Sequence, residues 1–493
     1  MTSRNNKPGW PMACRLRAVA ACVLALGHVA SAQPASEPPT SPPPLTLEEV
    51  LASVREHYPM IQAARGDLAA AEAESLAARG AFDPEVRARG QSIPFGPYPY
   101  TRFDATVQQP LELWGANVFG GWRWGGGDIP AYYGNLQTNA LGELRAGVSV
   151  PLWRNNAIDR RRANLERTGL GEKAASLAIF QSLLEASRTA AQRYWDWVAA
   201  GRRLEIARSL LEIARTRDTQ LAERVRSGDL PQFERKDNER ALLQRQAQVV
   251  SAQRVLQQAA IELSLFLRDA EGTPVLPPEQ RLPPKLPELP ATDVLASSLN
   301  GLADVLERRP DVRRLELQRD QQRVEARFVE NQQRPLIDVS VAALKDLGGG
   351  SERLGRPELE LGITVEIPTF NRGAEGRVRA TEAGLSRMDA QLRLQRDRAR
   401  ADVRDAVSAL EAARARVTLA RNEWDVAQEL ARGERTRFTQ GDSSLLFVTL
   451  REQTAAEAAV REVDAVADFF KTLATLRTAL ALSPAEEPAR GAR

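Results

Sequence analysis

Residues able to do chemistry are few in this chain, and their positions restrict it further. The only cysteines are Cys14 and Cys22, and the only histidines are His28 and His57. Three of these four fall within residues 1–32, which read as a secretory signal. Arg15 and Arg17 form a basic n-region, Ala18 to Val29 an apolar run, and Ala30-Ser31-Ala32 an A-x-A cleavage site before Gln33. The run is too short for a transmembrane helix. A lipoprotein signal ending at Cys22 is the alternative, with only about four apolar residues after Arg17. Cleavage after Ala32 would leave no thiol and one imidazole, His57, just before Pro59. That excludes disulfides, Cys/His zinc sites, thiol nucleophiles and Ser-His-Asp triads together. No Walker loop or dinucleotide-binding glycine pattern occurs in a strand-to-helix context. The many carboxylates belong to highly charged helices and read as a solvated face. The residues therefore predict no enzyme, no cofactor and no metal site, and the shortage of His and Met disfavours a soft-metal relay.

Charge excludes another class. Lys and Arg number 67 against 64 Asp and Glu. Arg4, Lys7, Arg15 and Arg17 all lie in the leader, so the remainder holds 63 basic against 64 acidic residues. Nothing in that balance suggests nucleic acid as a partner. With 27% charged and 5% aromatic residues, the composition suits helices and coiled coils better than a dense globular core.

The elements that carry these residues come in two copies. His57-Tyr58-Pro59 corresponds to Arg308-Arg309-Pro310, and Asp83-Pro84 to Arg334-Pro335, both at an offset of 251. Val148 to Trp153 corresponds to Val365 to Phe370 at 217, and Ser227-Gly228-Asp229 to Gln440-Gly441-Asp442 at 213. The first copy thus holds 34 extra residues between Pro84 and Pro151. The predicted division is a leader 1–32, a Pro-rich linker 33–44, a first repeat 45–269, a Pro-rich connector 270–292, a second repeat 293–482 and a tail 483–493. The Pro-rich segments read as extended connectors rather than core.

Long helices fill most of each repeat. Val403, Ala406, Leu410, Ala413, Val417, Ala420, Trp424, Ala427 and Ala431 alternate steps of three and four, a heptad seam whose alanines allow close approach. Leu204, Ala207, Leu211, Ala214, Leu221 and Val225 continue it in the first repeat. A helix over 156–226 would span roughly 105 Å. Shorter helices are expected at 46–80, 230–268, 293–331 and 443–481, with Gly228 and Gly441 as C-cap turns between the long helices and those that follow.

Four segments alternate with period two: 84–92, 143–152, 336–343 and 358–367. Leu144, Ala146, Val148 and Val150 oppose Glu143, Arg145, Gly147 and Ser149; Leu359, Leu361, Ile363 and Val365 oppose Glu358, Glu360, Thr364 and Glu366. Such strands fit a membrane barrel or a half-buried soluble sheet equally. The insertion favours the barrel: residues 93–133 hold ten of the 27 aromatics, as interface girdles would. It reads as a long loop or an extra hairpin, with Pro110 and Gly125-Gly126-Gly127 leaving both open. Four strands cannot close a barrel and open edges are not tolerated in lipid, so a barrel would have to be shared among subunits.

This pattern resembles the TolC-type outer-membrane efflux family. The residues that carry the resemblance are Leu45 to Val50 with Tyr58-Pro59, the duplicate Pro310, the strand ends Val150-Pro151-Leu152-Trp153 and Ile367-Pro368-Thr369-Phe370, and the turns at Gly228 and Gly441. It covers about 45–482. The resemblance implies a mixed α and membrane-β fold with internal duplication. Long coiled-coil helices would form a periplasmic α-barrel, and each subunit of a homotrimer would give four strands to a twelve-stranded outer-membrane β-barrel. It implies a passive exit duct that meets outer-membrane lipid, a periplasmic adaptor and an inner-membrane pump. Val225, Arg226, Gly228, Asp229, Phe438, Gln440, Gly441 and Asp442 would lie at the adaptor-docking tips. Some members close the tunnel with acidic residues after the second turn; here Asp442 is the only carboxylate before Glu452. Phe447 and Leu450 could instead form an apolar constriction, which gates by dewetting, or pack the seam. By alternation, Arg87, Arg89, Glu143, Arg145, Glu360 and Glu366 are the candidate barrel-lumen residues, and their mixed signs argue against strong ion selectivity. The rival reading, a soluble periplasmic coiled-coil adaptor or scaffold, explains the helices but neither the strands nor the aromatic insertion.

Overall fold

A computed structural model describes residues 42–129, 137–290 and 307–482. The expected leader, most of the 33–44 linker, the opening of the second repeat and the tail lie outside the described residues.

The first repeat opens with α1 (Leu47–His57). Thr46 caps it by accepting from the Glu49 N–H at 3.2 Å, with Glu48 and Glu49 in the first turn. The single helix expected over 46–80 is in fact two. Pro59 starts a second helix, α2 (Pro59–Gly80), and holds Tyr58 extended at φ −74°, ψ 123°. The pyrrolidine ring cannot donate to the preceding turn and pushes the residue before it out of the α region. Arg309 before Pro310 shows the same break at φ −63°, ψ 121°, ahead of α5 (Pro310–Asn331).

Four strands follow α2: β1 (Glu85–Ile93), β2 (Tyr100–Pro110), β3 (Asn117–Gly127) and β4 (Glu143–Pro151). After α5 come β5 (Leu336–Asp346) and β6 (Glu358–Glu366). All six join one antiparallel sheet in the order β1-β2-β3-β4-β5-β6. The four segments expected from alternation are β1, β4, β5 and β6. The sheet therefore holds two strands more than the four found from alternation, because the aromatic insertion folds as the hairpin β2–β3 between β1 and β4. Pro110 does not interrupt it, since it is the last residue of β2, where no further ladder bond is needed.

Two very long helices leave the sheet: α3 (Arg160–Arg226) with 67 residues, and α6 (Arg372–Thr439) with 68. Each is about 100 Å long. They turn back into α4 (Gln232–Ser264) and α7 (Leu445–Ala479). The predicted seam of α6 is buried from Val403 to Ala431 except Trp424, which is half-buried. It packs on Val466, Phe469 and Leu476 of α7. Alanine at every second seam position brings the backbones close.

The main core lies midway along the helices. Tyr194, Trp195 and Trp197 of α3 are buried there with Val50 and Val54 of α1, and Trp195 stacks on Phe470 of α7 at 4.3 Å. The Pro-rich connector is not excluded from this core, contrary to its composition. Leu282 and Leu286 pack against it, and Leu282 lies so close to α3 that a Cβ at Gly201 would come within 2.5 Å of its side chain. Proline suits this role because an extended strap with few free donors loses little by lying on an apolar surface. Arg281 holds Glu49 through paired bonds of 3.0 and 2.6 Å, and the Leu45 N–H donates to the Arg281 carbonyl at 2.8 Å. The Tyr194 hydroxyl donates to the Leu45 carbonyl, and burial, aided by Glu49, pushes the phenol up to about 12.

Ala413 is fully buried in the seam. Ala413→Leu should overpack it and cost about 1–3 kcal/mol, seen as a lowered thermal unfolding midpoint by circular dichroism. Leucine at the exposed neighbour Ala415 should leave the midpoint within experimental scatter.

Candidate functional site: the sheet faces and the helix tips

Residues directly opposite in an antiparallel ladder share a face, so the strand pairings sort the sheet into two sides. Val86 pairs with Val107, Ala88 with Ala105, and Ala105 with Trp122. Trp122 pairs with Leu144, Ala146 with Ala343, and Val341 with Leu361. One apolar face thus runs in phase across all six strands. The opposite face carries Arg87, Thr106, Arg123, Glu143, Ser149, Asp338, Glu360 and Glu366. Arg87, Arg89, Glu143, Arg145, Glu360 and Glu366 all fall on this polar face.

Burial runs opposite to what a soluble sheet requires. On the apolar face Val86, Leu361 and Ile363 are 71%, 72% and 69% exposed. On the polar face Glu143 and Asp346 are buried, and Arg123 meets Glu143 at 2.5 Å. Ser149 bonds Asp338 at 3.0 Å, Arg154 meets Glu366 at 3.0 Å, and the Arg145 guanidinium lies 5.7 Å from the Phe119 ring centre. None of the buried clusters takes in an apolar-face residue of the sheet. A half-buried soluble sheet would cover its apolar side. This one leaves it bare and buries part of its polar side, where Arg123 pairs with Glu143.

The two ends of the sheet differ. The turn 111–116 lies at the helical end, where exposed Trp114, Trp153 and Phe370 gather. At the other end are the connection 94–99, with Phe95 and Tyr98 exposed, and two longer ones, 128–142 and 347–357. Those connections are tied to one another: Asn139 accepts from the Ser351 N–H at 2.9 Å and donates its own N–H to Asp346 at 2.9 Å. Strands of 9–11 residues between two aromatic zones have the dimensions of a membrane wall. Among the described residues no helix is long and apolar enough to cross a membrane, and no His/Cys/Asp/Glu group could hold a metal ion.

The far ends of the long helices finish in two matching turns. Gly228 has φ 82° and Gly441 φ 85°. The Asp229 N–H donates to Arg224 and the Asp442 N–H to Arg437, both at 2.9 Å, which with the Gly228→Val225 and Gly441→Phe438 bonds makes two Schellman caps. Nothing lies within 4 Å of a Cβ at either glycine, so backbone conformation and not space calls for glycine. Arg226, Asp229, Gln440 and Asp442 are exposed at these turns, and Val225 and Phe438 half-buried. Beyond the second turn, Leu445 and Val448 fill the seam, while Phe447 and Leu450 are each 55% exposed. The latter two do not pack the subunit's own seam.

One site residue escaped the sequence reading. The Glu452 carboxylate on α7 is fully buried and meets Arg217 of α3 at 2.5 Å, Arg435 of α6 at 2.9 Å and Arg245 of α4 at 3.4 Å. Burial pulls Arg245 below the usual arginine value, against the attraction of Glu452. One carboxylate thus joins all four helices of the distal bundle.

Known proteins agree with this geometry. Residues 301–482 match the family model of the outer membrane efflux protein. No curated protein sequence matches the chain. Solved structures of similar fold include the outer-membrane channel OprN, 17% identical with a TM-score of 0.64, covering 88% of this chain and 89% of that one. The outer membrane protein VceC from Vibrio cholerae is 15% identical with a TM-score of 0.64, over 89% and 96%. The open-state outer membrane channel MtrE of Neisseria gonorrhoeae is 18% identical with a TM-score of 0.62, over 89% of each chain. The resemblance to the outer-membrane efflux family is thereby shown: the second repeat matches its model, and the chain has the fold of outer-membrane channels.

Removing Glu452 would leave three arginines facing one another. Glu452→Ala should cost about 3–5 kcal/mol locally, as breaking a buried pair does. Hydrogen exchange should rise in 214–245 and 432–455 while the 186–204 core stays protected; unchanged exchange at the tips would refute the role given to this carboxylate.

Proposed function

We propose that the protein is a passive outer-membrane exit duct that works as a homotrimer. The observation that carries this reading is the bare apolar face running in phase across the sheet, backed by a charged face that holds the buried Arg123–Glu143 pair. A sheet of this kind is stable where hydrocarbon covers one side and water fills the other. The polar side would line the pore, with Arg87, Arg89, Glu143, Arg145, Glu360 and Glu366 facing the lumen. The helices would extend the duct into the periplasm.

The capped turns would dock a periplasmic adaptor joined to an inner-membrane pump, through Val225, Arg226, Gly228, Asp229, Phe438, Gln440, Gly441 and Asp442. The energy would come from the pump, since transport through a duct needs no bond-making in this chain. Opening would be a movement of the tip helices, biased by adaptor contacts made better in the open state. Asp442, Phe447 and Leu450 would form the narrow point. The exposure of Phe447 and Leu450 supports this over packing within the subunit. A soluble periplasmic scaffold would have to hide the apolar sheet face, and among the described residues no element does so.

Detergent extraction of membranes followed by negative-stain imaging tests the reading. An elongated particle of three copies with a membrane-sized end is expected; a water-extractable monomer would overturn it. In planar bilayers Phe447→Ser should raise single-channel conductance several-fold by wetting the constriction. An unchanged conductance would remove Phe447 from the gate without touching the duct itself.

A further inference from the structure

The β2–β3 hairpin has no counterpart in the second repeat, where β5 and β6 follow each other directly. It stands between β1 and β4: β2 pairs with β1 over Tyr100–Gln108, and β3 with β4 over Asn117–Arg123. We infer that this hairpin is part of the membrane wall, so that each subunit supplies six strands and the trimer closes an eighteen-stranded barrel. The inference rests on the trimeric duct proposed above and changes its bore.

Phase is the first support. A flap lying outside the bilayer has no reason to keep the neighbouring strands' alternation. β2 keeps it: Phe103, Ala105 and Val107 share the apolar face with Ala88 and Val86, while Asp104 and Thr106 share the polar face with Arg89 and Arg87. β3 continues it with Val118, Trp122 and Trp124 on the apolar side and Arg123 on the polar side. The Arg123–Glu143 pair crosses from β3 to β4, and its side chains are only 16% and 7% exposed. The hairpin's polar side is thus joined to that of β4 within the wall.

Length and direction agree. β2 and β3 have 11 residues each, as β5 has. Their joining turn lies at the helical end, anchored where Gly115 (φ 67°) passes so near α3 that a Cβ would stand 2.6 Å from the Asn155 carbonyl and 3.1 Å from Asp159. At the opposite end the connection 94–99 matches the turn in length, while the other two, 128–142 and 347–357, are longer. Short turns on the periplasmic side and longer loops outside are the habit of membrane barrels.

The edges supply the partner. β1 and β6 do not pair with each other, so six strands leave two open edges. Hydrocarbon does not tolerate an unpaired edge, and six strands are too few to close alone. The β1 edge of one subunit must therefore meet the β6 edge of a second copy. Three such sheets at about 4.8 Å per strand and about 40° tilt give a backbone diameter of about 36 Å, against about 24 Å for twelve strands. The duct's outer mouth would be about half as wide again as four strands per subunit allow.

The test is a spin-label scan of the full-length protein reconstituted in phosphatidylcholine vesicles, aided by the confinement of both native cysteines to the expected leader. Labels at Ala105→Cys and Val107→Cys should be relaxed more by oxygen than by a water-soluble nickel chelate, and labels at Asp104→Cys and Thr106→Cys the reverse. The β4 pair Ala146→Cys and Arg145→Cys reports on the duct reading by itself. Alternation on β4 with all four β2 labels open to water would overturn the inference and leave the duct standing. Loss of alternation on both strands would overturn both. Cryo-electron microscopy of the same particles should count eighteen strands. Twelve, whether from a trimer with the hairpin outside the wall or from a dimer, would overturn the inference.

Discussion

The unpaired backbone at the two edges of the sheet is the constraint on which the rest of the structure depends. Every strand interior to the sheet pairs with a neighbour on both sides. β1 and β6 each leave one row open. In water such a row would be solvated; beside hydrocarbon it would cost several kcal/mol per group. Because the apolar face is bare, the sheet belongs in hydrocarbon, and because it belongs there its edges need other copies. Subunit association is thus built into the sheet, not added to a finished monomer.

That requirement fixes the register as well. Side chains alternate with period two, so a slip of one residue in any strand would turn its charges into lipid and its valines into the lumen. The in-phase pairing from Val86 to Leu361 has to hold across five interfaces at once. The Arg123–Glu143 and Ser149–Asp338 contacts lock two of them on the polar side.

The helices answer a different need, which is reach. Two uninterrupted helices of 67 and 68 residues carry the chain away from the sheet, and their alanine seams let the returning helices lie close. A long thin bundle has little interior per residue, so its ordering depends on specific contacts. The Glu452 cluster is one: burying a charge among three arginines adds little net stability, but it admits few alternative alignments of four helices. Leu282 seated on Gly201 does the same for the connector.

Much of this was legible locally. The seam from Val403 to Ala431, the glycine turns at 228 and 441 and the four alternating strands, weakest at 84–92, depend on side-chain period and backbone freedom, which neighbouring residues determine. The break at Pro59, which the expected single helix over 46–80 passed over, is local too, since proline bars the helix whatever surrounds it. The β2–β3 hairpin was not legible as strand. Gly120, Gly121 and Gly125 to Gly127 dilute its alternation, and only pairing across the sheet reveals that Pro110 and Gly127 end strands and that Gly121 lies against the Ala105 carbonyl. Nor was Glu452, one carboxylate among 64 acidic residues. Its arginine partners at 217 and 245 are 235 and 207 residues away. Period and turn chemistry are properties of a short segment; burial of a charge and membership of a sheet are decided by what the rest of the chain brings alongside.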